Sequence, residues 1–186
     1  MSGHSKWNNI KNKKGAEDSK KAKIFGQLSK NIRLAVKTGG SGDPKFNPSL
    51  RLLLEKTREA NMPREKVQKA IDAGLGKGGA ATITEVIYEA FGPGGAGLMI
   101  VILTDNPNRT TPEIRNILHT HGGSLGAPHS VRYQFTRDDS GNWVPNMPFP
   151  VEDDDFGQLL SLATALHAHP DVEDVFCTVD LEEKEE

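Results

Sequence analysis

Residues 1–40 read MSGHSKWNNIKNKKGAEDSKKAKIFGQLSKNIRLAVKTGG, and the rest of the first half of the chain is organised around them. Apolar side chains recur there with the spacing of one helix face, at Phe25, Leu28, Ile32 and Val36. This spacing predicts an amphipathic helix over residues 17–38. Ten Lys or Arg stand against two acids in the stretch, a net charge of +8. A core-packed helix with surplus positive charge is typical of a protein that binds polyanions.

The basic side chains of this stretch are the candidate contact surface for a nucleic acid. With the Trp embedded among them, the set is Lys6, Trp7, Lys11, Lys13, Lys14, Lys20, Lys21, Lys23, Lys30, Arg33 and Lys37. Lys and Arg pair with phosphates, and an indole stacks on a base or ribose. The plainer interpretations are a solvated basic tail and a Trp7 that packs the N-terminal arm onto the helices. The clustering and the orderly helix that follows favour nucleic-acid contact.

The distribution of charge divides the chain in two. Residues 1–79 have a net charge of +11 and residues 80–186 a net charge of −13, within a total of −2. Between them, GLGKGGAAT at 74–82 has the composition of a flexible joint. The sequence therefore predicts a basic helical domain at 1–79, which begins with a flexible arm, and an acidic α/β domain at 80–186.

Two further helices are predicted in the basic domain. One spans 47–61, with Asn47 as its cap and Pro48 in its first turn. The other begins near Pro63 and stops at Gly74. Three short amphipathic helices can bury one another in a small bundle. A helix-turn-helix DNA reader is the alternative, but no recognition helix stands out.

The acidic domain shows strand and helix patterns in turn. Strands are predicted over 83–91, 98–104, 130–136 and 172–179, and helices from a cap at Thr111 with Pro112, and from 153–155. The order ββαβ, then αβ, predicts the α+β class, with helices packed on one face of a sheet.

No motif in the chain indicates an enzyme, a cofactor or a metal. The glycines of 92–97 spell G-x-G-x-x-G, but a strand follows where a dinucleotide site needs a helix. The His pairs 119/121 and 167/169 lack a nearby Cys pair and fit cap or solvent roles. Asn106, Asn108 and Arg109 fit turn formation better than ligand binding.

The apolar runs, the N-terminal sequence and the cysteine content bear on the cellular location of the protein. The longest apolar run, 98–103, is far shorter than the roughly 20 residues of a membrane span. No secretory signal is visible, and the single Cys177 fits a reducing compartment. We expect a cytoplasmic protein with no membrane partner.

Several motifs together make the sequence similar to the YebC/PmpR family of "probable transcriptional regulatory proteins", which includes the mitochondrial translational activator of cytochrome oxidase. The motifs are GHSKW (3–7), NIK (9–11), KAKIF (21–25), NPSLR (47–51), ANMPREKVQKAI (60–71), YEAFGPGG (88–95), LTDNPNRT (103–110), HGGSLG (121–126), and VEDDDF through DVEDV (151–175). They cover most of the chain.

The resemblance implies a helical N-terminal domain and two α/β domains, the last inserted within the second. Here residues 137–144 bridge directly from the strand pattern toward the closing helix and strand. The inserted third domain is therefore expected to be missing. What remains is a three-helix domain followed by a ferredoxin-like α/β sandwich.

The resemblance also implies function, in two forms. The customary one is a DNA-binding regulator of transcription. The alternative is a translation factor that contacts rRNA or tRNA on the ribosome and relieves stalling on difficult nascent sequences, such as proline runs. Few side chains other than Gln27, Asn31 and Arg33 suit base edges in DNA, whereas a flexible basic arm with Trp7 suits irregular RNA. A third class, a protein-interaction module that uses the acidic domain, predicts that Lys6, Lys11 and Lys23 are dispensable.

Overall fold

The computed structural model describes residues 17–79, 81–139, 142–147 and 149–179. Five of the candidate contact residues, Lys6, Trp7, Lys11, Lys13 and Lys14, lie outside these ranges. The chain forms two compact units, one running up to Val86 and including Leu103–Pro107, the other made of Ile87–Ile102 and the residues from Asn108 onward. We call them the helical unit and the sheet unit. The domain boundary between residues 79 and 80 stays a prediction.

The helical unit contains the three expected helices: α1 (Glu17–Gly39), α2 (Pro48–Glu59) and α3 (Arg64–Gly74). Both α2 and α3 pack against α1. Their shared core is formed by Ile32, Val36, Leu50, Ala70 and Ile71. The apolar stripe predicted for α1 is thus a core stripe.

Gly74 has a packing role as well as its predicted place at the end of α3. A Cβ atom at this position would lie 2.7 Å from Val36 Cβ and 2.9 Å from the Arg33 carbonyl oxygen. Only glycine therefore permits this close approach of α3 to α1.

The strands form a four-stranded sheet and a separate hairpin. In chain order the strands and remaining helices are β1 (Thr84–Phe91), β2 (Gly97–Thr104), α4 (Pro107–Thr120), β3 (Ser124–Leu125), β4 (Phe135–Arg137), β5 (Trp143–Pro145), α5 (Asp153–Ala168) and β6 (Val172–Cys177). The sheet order is β3-β1-β2-β6, with β3 antiparallel to β1 and β6 antiparallel to β2. The predicted α+β class is confirmed.

Each face of β2 is covered by different elements. Leu98 lies on the face that packs against α5. Its side chain and those of Leu159 and Leu162 of α5 all surround Gly92, where an added Cβ atom would lie within 4 Å of each. On the other face, Met99 packs with Phe176 and with residues of the segment that ends in the β4–β5 hairpin. A strand buried on both faces explains the continuous apolar run of β2.

The second strand of the hairpin, β5, forms where the sequence predicted no strand. Arg137 pairs with Trp143 across β4 and β5, and the Asp138 N–H donates to the Asn142 carbonyl at 3.0 Å. Trp143 is buried, and the guanidinium carbons of Arg132 and Arg137 lie 5.1 and 4.2 Å from its ring centroid. The indole therefore anchors the hairpin in the core while two cations cover its ring.

The predicted start of α4 is wrong. The helix begins at Pro107, not at Thr111 and Pro112. Pro107 suits a first helical position because the N–H that proline lacks has no intrahelical partner there. Pro112 lies inside the helix, where it removes one intrahelical hydrogen bond.

The strand predicted at 130–136 is also wrong for most of its length. Residues Arg132–Gln134 form a 3-10 turn, and only Phe135–Arg137 is extended in a ladder. The cause is the Glu89 carboxylate, which accepts the N–H groups of His129 (2.7 Å), Val131 (2.7 Å) and Arg132 (2.8 Å). These donors are therefore not available to a neighbouring strand.

Candidate nucleic-acid interface

Helix α1 carries the six described residues of the candidate contact surface. They are Lys20, Lys21, Lys23, Lys30, Arg33 and Lys37. At about 100° per residue, the last four lie together on a flank of α1 that faces away from its buried stripe. Lys21 and Lys37 are exposed, and the others are partly buried. We call this set the α1 basic surface.

Two members of the α1 basic surface also hold the chain segment that follows α3. The Arg33 guanidinium donates to the Ala81 carbonyl, and Lys37 Nζ donates to the Ile83 carbonyl at 3.4 Å. A neutral carbonyl does not cancel a formal charge, so both cations still contribute to the positive potential of the helix. No sequence pattern predicts these contacts, because they join residues more than 40 positions apart.

Three polar side chains of helix α3 have partners within the helical unit. Lys66 Nζ lies over the Phe25 ring, 5.1 Å from its centroid. Asp72 accepts from Gln68 (3.3 Å) and forms an ion pair with Lys77 (3.2 Å). Because these three groups already interact with each other or with α1, they are less available to read base edges.

The loop between α1 and α2 is fixed by a buried amide. Asn47 is 2% exposed, its Nδ2 donates to the carbonyls of Ala35 (2.9 Å) and Ser41 (3.0 Å), and its Oδ1 accepts the Leu50 N–H (3.0 Å). The predicted cap is therefore confirmed, and the same side chain ties the loop to α1.

In the sheet unit, Glu89 is an acid with a structural role. Burial would raise the pKa of this carboxyl, but hydrogen bonds from the backbone N–H groups of Val131, His129 and Arg132 outweigh burial and lower the pKa below its usual 4.5. Glu89 is thus ionised at neutral pH and holds the segment 129–132. Sequence patterns did not single it out, since its partners are about 40 residues away.

Asp171 has a comparable role next to α4. Its Oδ2 accepts from Thr110 Oγ1 at 2.7 Å and from the Arg109 guanidinium at 2.8 Å, and the carboxylate side chain is 4% exposed. Nearby, His169 Nε2 lies 2.9 Å from Glu113 Oε2. These contacts link α4 to the turn before β6. Arg109 therefore has a structural role in this link.

The Cys177 thiol of the sheet unit is buried. Burial raises the pKa of the Cys177 thiol to about 11, against hydrogen bonds from Val179 and Thr178 that lower it. Across the part of the chain that the structure describes, no group of three His, Cys, Asp or Glu side chains is placed to hold a metal ion. Within the same residues, no helix has the length and hydropathy needed to cross a membrane.

Comparison with known proteins gives two matching family models. The TACO1/YebC protein N-terminal domain matches residues 5–77, and the TACO1/YebC second and third domain matches residues 83–139. The first model ends at residue 77 and the second begins at residue 83, and the gap between them includes Ala81, whose carbonyl accepts from Arg33.

Curated relatives agree with these models. A "Probable transcriptional regulatory protein" of Dictyoglomus thermophilum is 53% identical over 135 residues, which is 73% of this chain and 54% of that protein. A protein of the same name from Chloroflexus aggregans is 43% identical over 162 residues, 87% of this chain and 64% of that protein. The chain spans about half the length of the first of these relatives and somewhat more of the second.

A solved structure has the same fold. The crystal structure of the conserved hypothetical protein Aq1575 from Aquifex aeolicus superimposes with a TM-score of 0.84 at 27% identity, and the match covers 92% of this chain and 95% of that one. Together, the sequence matches and this fold show that the chain belongs to the TACO1/YebC family, as its motifs predicted.

Proposed function

We propose that this protein is a non-enzymatic, nucleic-acid-binding regulator of gene expression that acts in the cytoplasm. The observation that carries the proposal is the α1 basic surface, a row of cations on a helix whose other side is core. The name shared by its relatives, "Probable transcriptional regulatory protein", supports a regulatory role.

The chemistry of such a surface is contact with phosphates. Each Lys or Arg that meets a phosphate releases condensed counterions, so that binding weakens as salt rises. The arm residues Lys6, Lys11, Lys13 and Lys14, with Trp7, extend the same charge toward the N-terminus in sequence. The proposed contact set is therefore that of the sequence prediction.

Two targets suit this surface. One is DNA, in a transcriptional regulator. The other is rRNA or tRNA, in a ribosome-associated translation factor. On α3, Lys66 lies over the Phe25 ring and Gln68 donates to Asp72. These existing contacts favour the second target, because structured RNA is recognised through shape and backbone more than through base edges in a groove.

The contact surface is tested by the salt dependence of nucleic-acid binding. The double variant Lys20→Ala/Lys21→Ala is expected to lower the slope of log K against log[salt] by about 0.7–0.9 for each phosphate that the protein no longer neutralises. The matched control Lys69→Ala/Lys77→Ala removes the same charge from the region of α3, where Lys77 is already paired with Asp72, and should change the slope less. Equal slopes for the two variants would show that α1 has no special role.

The choice between DNA and ribosome is tested by sedimentation. Native protein in a cell lysate is run on a sucrose gradient with RNase and DNase treatments in parallel. Migration with ribosomes that RNase abolishes and DNase leaves intact would establish the translation role. Heavy complexes sensitive only to DNase would establish the transcriptional one. A light peak indifferent to both nucleases would count against both.

A further inference from the structure

A large aromatic side chain stands exposed on the basic helical unit. Phe46, in the loop between α1 and α2, is 76% exposed. A single exposed apolar side chain is common on protein surfaces, so the role of this ring follows from the loop that carries it and from the charges nearby. The periodicity of the sequence does not single out this residue.

The loop that displays Phe46 is held in one conformation. The Asp43 carboxylate accepts the Lys45 N–H at 2.9 Å, the Phe46 N–H donates to the Asp43 carbonyl at 3.0 Å, and Ser41 Oγ accepts the Asp43 N–H at 3.1 Å. The neighbouring Asn47 amide fixes the loop to α1. The ring is therefore presented by a preorganised turn, which lowers the entropic cost of binding to it.

Two cations lie in or beside the loop that carries Phe46. Lys45 is exposed and directly precedes Phe46. The Arg51 Nε donates to the Pro44 carbonyl at 3.2 Å, which holds this guanidinium beside the loop. Pro44, Lys45 and Arg51 line an open depression of about 420 Å³. Asp43 is the acid of the same loop, and its carboxylate accepts the Lys45 N–H.

This combination identifies the chemistry of the occupant. A base can stack on a phenyl ring while its flanking phosphates meet a Lys and an Arg, and such stacking platforms accept any base that is not already stacked in a duplex. We propose that Phe46, with Lys45 and Arg51, forms a stacking subsite for an unpaired base of single-stranded nucleic acid. This inference rests on the proposed function and names the form of nucleic acid that the helical unit prefers.

The test compares single-stranded and duplex binding. A fluorescein-labelled RNA of mixed sequence, alone or annealed to its complement, is titrated with the full chain. Phe46→Ala is expected to weaken binding of the single strand about tenfold, the scale of removing one stacking aromatic, and to leave duplex binding unchanged. Leu52→Ala is the matched control, because Leu52 is apolar and 61% exposed on the same unit but cannot stack.

Two further variants separate stacking from simple apolar contact. Phe46→Leu keeps an apolar side chain without an aromatic face and should bind single strands as weakly as Phe46→Ala. Phe46→Trp should bind at least as well as the parent, and its added indole should be quenched by the single strand and not by the duplex. Both substitutions are at an exposed position, so the fold is retained and circular dichroism checks this.

Each other outcome overturns the inference. Wild-type affinity in Phe46→Leu, or equal losses in Phe46→Ala and Leu52→Ala, would make Phe46 an apolar contact only. Full single-strand affinity in Phe46→Ala, with weakened binding in Lys20→Ala/Lys21→Ala, would remove the subsite and leave the proposed function standing. If the unaltered protein bound neither RNA nor DNA, the proposed function would fail together with the subsite.

Discussion

In the helical unit the charged side chains stand mainly at the surface, whereas in the sheet unit two carboxylates, Glu89 and Asp171, are 9% and 4% exposed. Glu89 receives three backbone N–H groups, and Asp171 receives a hydroxyl and a guanidinium. The buried polar side chains of the helical unit include Asn47 and Thr57, which are neutral.

This contrast shows that charged side chains have different roles in the two units. Residues 80–186 have a net charge of −13, but part of that charge is structural and faces loops of the same unit. Among the described residues of the helical unit, the Lys and Arg side chains are exposed or partly exposed, where they can meet an external polyanion. A negative total for the chain therefore does not oppose nucleic-acid binding by the helical unit.

The largest stability effect is expected for Glu89→Gln. The amide offers one carbonyl oxygen in place of a carboxylate that holds three N–H groups, so that buried donors are left with weaker partners or none. We expect a loss of about 3 kcal/mol in the free energy of unfolding, measured by urea titration at pH 7. Glu85→Gln, on the same strand but exposed, is the control and should be nearly neutral.

The pH dependence of this loss has a definite sign. Because the folded state lowers the pKa of Glu89, the ionised carboxylate stabilises the fold fully above its usual pKa of 4.5. This contribution declines as pH falls and is gone below the lowered pKa. The difference between the parent and Glu89→Gln should narrow in acid. A difference that stayed constant down to about pH 2 would mean that Glu89 is not an ionised anchor.

A smaller effect is expected for Asp171→Asn. The Arg109 side chain is 48% exposed, so solvent screens the ion pair, and most of the cost comes from the altered partner of the buried Thr110 hydroxyl. We expect about 2 kcal/mol by thermal or urea unfolding. A double-mutant cycle with Thr110→Val should show strong coupling, and additive effects would contradict the contact.

The smallest stability effect is expected for Lys20→Ala/Lys21→Ala. Solvated charges at the start of α1 contribute little to folding, so the unfolding free energy should change by less than about 0.5 kcal/mol. The same variant is the one expected to lower the salt slope of binding. A large loss of stability would mean that these lysines have structural roles like those of Glu89, and the contrast between the units would disappear.

Local signals predicted much of the fold. Periodicity placed the helix of Glu17–Gly39, a cap followed by proline placed Pro48–Glu59, and a continuous apolar run placed Gly97–Thr104. Each depends on residues within a few positions of each other, which is the range over which a sequence pattern carries information.

The error at residues 130–136 arose where distant residues decide the backbone. The alternation of Val131, Tyr133 and Phe135 resembles a strand, and Val131 and Phe135 are indeed buried while Tyr133 is exposed. The Glu89 carboxylate nevertheless takes the N–H groups there from 40 or more residues away. Phe46 was not predicted for another reason: its exposure depends on how Asn47 holds the loop, which no periodicity reports.

In the β4–β5 hairpin, the last residue of β4, Arg137, pairs directly with the first residue of β5, Trp143. Backbones paired in this way are about 5 Å apart, so the two ends of the loop between these strands lie close together. A guest domain whose own termini are that close could be grafted into the loop without moving Phe135 or Trp143 out of the core. We expect that an insertion between Arg137 and Trp143 would leave the register of the four-stranded sheet unchanged, because the hairpin is not paired with that sheet.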